Sequence, residues 1–346
     1  MIELKNQRLE FSFPEVHPEA RLSIEFQRTL RIPDDNRSHS LPPGLGPFPI
    51  QHVDDHAANV PEKWLQRGGV MIPMYQSEAM WLNFNSRHIG NQASYPFAIK
   101  VATGKQCAVT GNRWQDGLQR SPQNYMVAPR QPWLDGYVVR KGLIRQFVAM
   151  PLGSGYTAEE QLTGQAEHGG LQIEVYPMRR DEFESRFPPK KPMMLAKRRS
   201  TLMECFSSPA VSAAAPDMGL APGGKMKQEI YKDKFGFQCW NMQASSRCFV
   251  HICNSVVWGS VTGKQPPYPA PTARQYTNSG LPWFEYYDES AQAVEGSSRL
   301  ADMESVAQLS QQKQQMVLPE NESVTPQNLV VLRQGLQQGQ VREGHF

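Results

Sequence analysis

Tyr137-Val138-Val139-Arg140, Lys141-Gly142, Leu143-Ile144-Arg145-Gln146-Phe147-Val148 is the stretch that decides the fold. Two runs rich in β-branched and apolar residues, joined by a glycine-containing turn, read as paired antiparallel strands. The same grammar stands just upstream: Pro96 to Val101, then Ala102-Thr103-Gly104-Lys105, then Gln106-Cys107-Ala108-Val109. Nearer the start, Leu9, Phe11 and Phe13 alternate with polar residues, and Leu22, Ile24 and Phe26 do so again after His17-Pro18-Glu19. That pattern predicts a third hairpin with one buried face, its second strand reaching Ile32 before Pro33-Asp34-Asp35 stops it.

Shorter signals fill the gaps. Val70 to Tyr75 reads as a strand whose Pro73 puts it at an edge or a bulge. Glu78 to Phe84 suits a strand or a short helix. Thr157 and Glu160 stand at capping-box spacing and predict a helix that ends near Gly164. Gly169-Gly170 then releases Leu171 to Tyr176 as another alternating strand, and Arg180 to Phe187 suits one or two helical turns. Met226 to Tyr231 and Cys248 to Cys253 are further strand-like runs. Helical spacing returns at Leu300, Met303, Val306 or Ala307, and Leu309, and Thr325-Pro326 resembles an N-cap and N1 pair opening a helix over 327–336.

The expected fold is therefore α+β and β-dominated. Antiparallel sheets form a sandwich or open barrel, with a few short helices and a helical C-terminal tail. By composition, residues 1–190 form a β-rich core and residues 191–224 a basic, then Ser/Ala/Pro/Gly-rich linker or long loop. Residues 225–299 continue the core and carry an aromatic and proline-rich strap, because about 75 residues make a marginal core alone. Residues 300–346 form a Gln-rich tail, helical or partly disordered, and truncation after Arg299 is expected to leave the β-core folded.

A chain of 346 residues that is 39% apolar and 20% charged can bury a sizeable core. Its 28 prolines point to many ordered connections between short elements. A net charge of +3 favours no particular partner. The five cysteines show no CxxC spacing and read as free thiols in a reducing compartment. Met1 to Gln7 lacks the apolar run of a secretory signal, and no apolar stretch is long enough to span a bilayer. A soluble, cytoplasmic protein without membrane insertion is expected.

Candidate sites are sparse. His52-Val53-Asp54-Asp55-His56 is the densest group of metal-ligand types, and its histidines share a face in a helix or a strand. A polar turn is the competing reading. Glu167 and His168 would form an acid–base pair only on an irregular backbone, which Gly169 and Gly170 permit. His251 and the cysteines read as buried structural groups, and Cys248 and Cys253 fall on opposite strand faces. Trp283, Phe284, Tyr286 and Tyr287 form the most aromatic stretch, either a recognition loop or a lock holding the C-terminal segment down. The basic run from Lys190 to Arg199 reads as a solvated loop, so nucleic acid is disfavoured. No phosphate-loop, hydrolase-elbow or dinucleotide-binding pattern occurs.

Two functions follow. The first is a non-catalytic binding or assembly protein that meets a protein partner through aromatic/Pro-rich loops and the Gln-rich tail. The second is a metal-assisted enzyme, a hydrolase or oxygenase. It would hold a divalent metal on His52 and His56 with Asp54 or Asp55, and with His168.

Overall fold

The computed structural model describes residues 1–86, 89, 93–188, 217–288, 290–314 and 322–333. Each of the three expected hairpins is present. Gly136–Arg140 pairs with Leu143–Pro151, with a bulge between Val138 and Arg140. Phe97–Thr103 turns at Gly104-Lys105 into Gln106–Cys107. Both turn residues have positive φ, 52° and 58°, the primed geometry whose twist matches the flanking strands. Arg8–Ser12 pairs with Arg21–Thr29, placing Leu9 opposite Ile24 and Phe11 opposite Leu22. An additional hairpin precedes it, Ile2–Lys5 against Arg8–Ser12.

These ladders join into one large, mainly antiparallel sheet. From Arg21–Thr29 the path runs to Ala79–Ser86, Leu143–Pro151 and Asp217–Lys227. It continues through Ser246–Asn254 and Leu171–Pro177 to Phe97–Thr103. The connection leading into Arg21–Thr29 meets the other end of that path through side chains: Phe13 lies 6.0 Å from Phe97 and His17 lies 5.2 Å from Tyr95, between ring centroids. The sheet thus curls around a core that draws on nearly every strand. Val70–Met74 adds to Ser246–Asn254 in parallel. Seven short helices lie among the described residues, the longest being Ser255–Thr262. None is long and apolar enough to cross a membrane.

Because both faces of the sheet are covered, the central strands bury polar residues as well. Phe97–Thr103 is buried throughout, Lys100 included. Lys100 stands opposite Glu174, which stands opposite Arg247, so three strands share one charged rung. The Lys100 Nζ lies 3.7 Å from Glu174, donates to the Gly117 carbonyl at 2.9 Å and sits 4.0 Å from the Trp114 ring centroid. Burial lowers its pKa and Glu174 opposes that shift. A buried charge is tolerated only with such partners.

The structure corrects several expectations. The strand from Arg21 stops at Thr29, not Ile32. Buried Gln146 explains the stop: it accepts from the Ile32 N–H at 3.0 Å and donates to the Leu30 carbonyl at 2.7 Å, replacing ladder bonds with side-chain ones. Of the two readings open for Glu78 to Phe84 the strand holds, as Ala79–Ser86 paired with Arg21–Thr29. Asp217 to Gly224, placed by composition at the end of the linker, is the first part of the long strand Asp217–Lys227. The remainder of that linker, residues 191–216 with Cys205 and the Lys190–Arg199 basic run, lies outside the described residues.

The tail also differs. Leu300 and Met303 are buried in the main core. Val306 and Leu309 pack with Ala79, Val148, Met150, Tyr156 and Ala221. Residues 300–309 therefore pack against the folded body. Where a helix was expected over 327–336, Leu329–Arg333 is a strand, parallel to Trp283–Tyr287.

Candidate binding surfaces and polar clusters

Four prolines, at 266, 267, 269 and 271, fix φ along a segment without regular structure. Anchors hold both of its ends. On one side Lys264 donates to the Gln51 side chain at 3.0 Å. On the other Thr272 and Gln275 form a reciprocal capping box that starts the helix Ala273–Asn278. In between, the Arg28 guanidinium donates to the Tyr268 carbonyl. Arg28 is itself held by Glu78 at 3.1 Å. Tyr268 itself, by contrast, is 91% exposed.

The aromatic stretch just beyond acts as a lock. Trp283 is fully buried, which corrects its assignment as a recognition side chain. Its indole N–H donates to Thr277 Oγ1 at 3.2 Å and its ring meets Tyr276 edge-on, 6.1 Å between centroids. Phe284 exchanges two backbone hydrogen bonds with Leu41, at 2.8 and 2.9 Å. Tyr286 packs on Trp133 at 4.8 Å. Phe284 and Tyr286 are half-buried, and the Tyr287 side chain lies outside the described residues.

A cleft of about 680 Å³ opens on another part of the surface. Four segments wall it: residues 109–112, 120–125, 232–237 and 294–299. Gln123 ties two of them, donating to the Tyr231 carbonyl at 3.1 Å and accepting from the Asp233 N–H at 2.9 Å. Ser297 ties the others, its hydroxyl donating to the Thr110 carbonyl at 2.6 Å. Val109, Tyr125 and Val294 are buried and give an apolar floor. Arg120, Lys232 and Arg299 stand exposed around the rim with Glu295. Asp233 also lines the cleft, but its carboxylate accepts from Tyr125 at 2.7 Å, Trp240 at 2.8 Å and the Phe235 N–H at 2.8 Å.

The candidate metal residues separate. His52 ends the short strand Gln51–His52, whereas Asp54, Asp55 and His56 form a 3-10 turn pinned by buried Val53. His52, Asp54 and Asp55 are exposed and His56 is half-buried, its pKa lowered by burial. Among the described residues, no three His, Cys, Asp or Glu side chains gather in a group that could hold a metal ion.

Glu167 and His168 do come together, 3.4 Å apart, on the irregular backbone before Gly169 and Gly170. Sequence reading missed what builds that loop. The buried Glu159 carboxylate accepts from the N–H groups of Glu167, His168 and Gly169, at 3.1, 2.9 and 2.8 Å. Arg67 donates to the carbonyls of His168 and Glu167 at 3.0 and 2.9 Å. The His168 ring is partly buried, and burial lowers its pKa.

Beside this loop His251 is stacked between Trp64, at 4.6 Å, and Phe249, at 4.3 Å. Its Nε2 meets the Gly68 carbonyl at 3.1 Å, and burial brings its pKa down to about 3. Cys107, Cys239, Cys248 and Cys253 are free and buried. Burial pushes the Cys248 and Cys253 thiols up to about 12, which leaves them unreactive. No family model matches this chain, and neither a curated protein nor a solved structure does.

Proposed function

We propose that this chain is a non-catalytic binding protein that presents the strap around Tyr268 to a protein partner. The observation that carries this reading is the contrast at Tyr268: an almost fully exposed ring on a backbone tethered by Arg28 and bracketed by prolines. A large aromatic exposed on a rigid segment is expensive to leave in water and effective in recognition, because little conformational freedom is lost on docking. Proline-rich extended segments suit partners with aromatic-lined grooves. The lock formed by Trp283, Tyr276 and Leu41 supports the same reading by holding the strap's far end against the body. Free, buried thiols suit a reducing compartment, and the reading places the protein in the cytoplasm.

The test compares affinity purification from the native host with wild-type chain and with the double variant Pro267→Ala, Tyr268→Ala. Both side chains lie outside the core, so the variant should melt with the wild type. A partner recovered with the wild type and lost with the variant supports the reading. Identical recoveries contradict it.

A further inference from the structure

The 680 Å³ cleft shares no lining residue with the strap and stands as a site by itself. Its size falls in the range of small-molecule sites, about 300–1,000 Å³. Its charge is organised. Among the described residues, Arg120, Lys232 and Arg299 make no ion pair, while many other cations of the chain are matched to carboxylates. Arg28 with Glu78, Lys63 with Asp217, Arg130 with Asp288 and Arg186 with Glu182 are examples. Of the two acids that line the cleft, Asp233 is engaged by the Tyr125 hydroxyl, the Trp240 indole N–H and the Phe235 N–H, which leaves the exposed Glu295 beside three cations.

The frame is also set in advance. Gln123 and Ser297 fix the walls through the main chain, and Gly296, with φ +87°, brings its segment so close to Arg140 that a Cβ would lie 2.5 Å from the Arg140 Cα. An apolar floor of Val109, Tyr125 and Val294 lies beneath this cationic rim, with Asn112 and Thr110 adding polar groups at one wall. A dianionic head would draw on several cations at once, and arginine forks match phosphate oxygens in pairs.

We infer that this cleft binds an organic phosphate, its dianionic head at the Arg120/Lys232/Arg299 rim and an apolar or aromatic body on the Val109–Tyr125–Val294 floor. The inference does not depend on the strap.

The test uses the full chain and 1-naphthyl phosphate as probe, titrated by calorimetry with amide chemical-shift mapping. Inorganic phosphate, 1-naphthol and 1-naphthoate serve as comparison ligands. The probe should bind and move amides of the four wall segments. Lys232→Gln and Arg299→Gln should each weaken it about tenfold, the value of one hydrogen bond to a charged group. Both side chains are exposed, so the variants should melt with the wild type. Absence of binding by the probe, equal binding by the variants or shifts confined to other surfaces would overturn the site. Naphthoate binding as tightly as the phosphate would overturn the ligand class.

Discussion

The guanidinium of Arg28, on the strand Arg21–Thr29, joins the Glu78 carboxylate to the carbonyl of Tyr268 on the strap, so the most exposed aromatic residue described in the chain rides on a main chain anchored to the core. Arg28 is only 13% exposed and Glu78 only 5%. Burial raises the Glu78 pKa, while the Tyr75 N–H and Arg28 oppose that shift.

Arg28→Ala removes both links together. It leaves a buried carboxylate without its cation and should cost about 3 kcal/mol in denaturant unfolding. Backbone order parameters from NMR relaxation should fall more at Tyr268 and Ala270 than elsewhere. Unchanged order parameters there would show that the strap is held by other contacts.

Asp135 makes the fold lose stability as pH rises from 3.8 to about 7. It is fully buried, its single side-chain partner among the described residues is the Gln228 amide, and burial raises its carboxyl from 3.8 to about 7. The folded chain holds this proton where the unfolded chain has lost it. The stabilisation is complete below the unfolded value and is lost as pH rises through about 7. Asp135→Asn should abolish that loss, gaining up to ~4 kcal/mol over the wild type at alkaline pH. Parallel stability–pH curves for the two proteins would contradict the assignment.

His251 acts in the opposite direction. Its folded pKa, about 3, lies below the ordinary 6.5, so the unfolded chain takes up the proton first as pH falls. Its contribution is intact above the unfolded value and disappears as pH approaches the folded one. Between pH ~6.5 and pH ~4.5 the wild type should lose roughly 2 kcal/mol more than His251→Phe, which keeps the stack between Trp64 and Phe249. Imidazole carbon shifts should report a neutral ring at mildly acidic pH; a charged ring there would sink the prediction.

Truncation after Arg299 tests the reassigned tail. Leu300, Met303, Val306 and Leu309 are all buried, and each contributes about 2 kcal/mol of apolar burial. Their joint loss is comparable to the ~5–15 kcal/mol that holds a domain together. The shortened chain should lose cooperative unfolding. A sharp transition at the wild-type midpoint would place these residues outside the folding unit.

The elements legible in the sequence were those whose signal is local. Alternation at Leu9, Phe11 and Phe13 and the Gly104-Lys105 turn specify hairpins within a few residues, and the Thr157–Glu160 box specifies a helix start. Asp217–Lys227 was not legible, because its proline and glycines resemble a linker. Gly223 and Gly224 are there for close approach: a Cβ would lie 2.5 Å from the Val148 side chain and 2.4 Å from the Pro33 carbonyl. Leu329–Arg333 follows a local helix-start signal at Thr325-Pro326, and its strand partner, Trp283–Tyr287, is more than forty residues away in the chain. The cleft was invisible for the same reason: its four walls come from distant segments and share no motif. The strap was legible as Pro-rich, but which aromatic faces water was decided by Thr277 and Tyr276 enclosing Trp283.

The most direct measurement is site-specific photocrosslinking in the native host, with p-benzoylphenylalanine at position 268 of the full chain and, as control, at exposed Lys141. One discrete protein adduct is expected from position 268 and none from position 141. No adduct at 268, or the same adducts from both positions, would contradict the strap as a partner-binding surface.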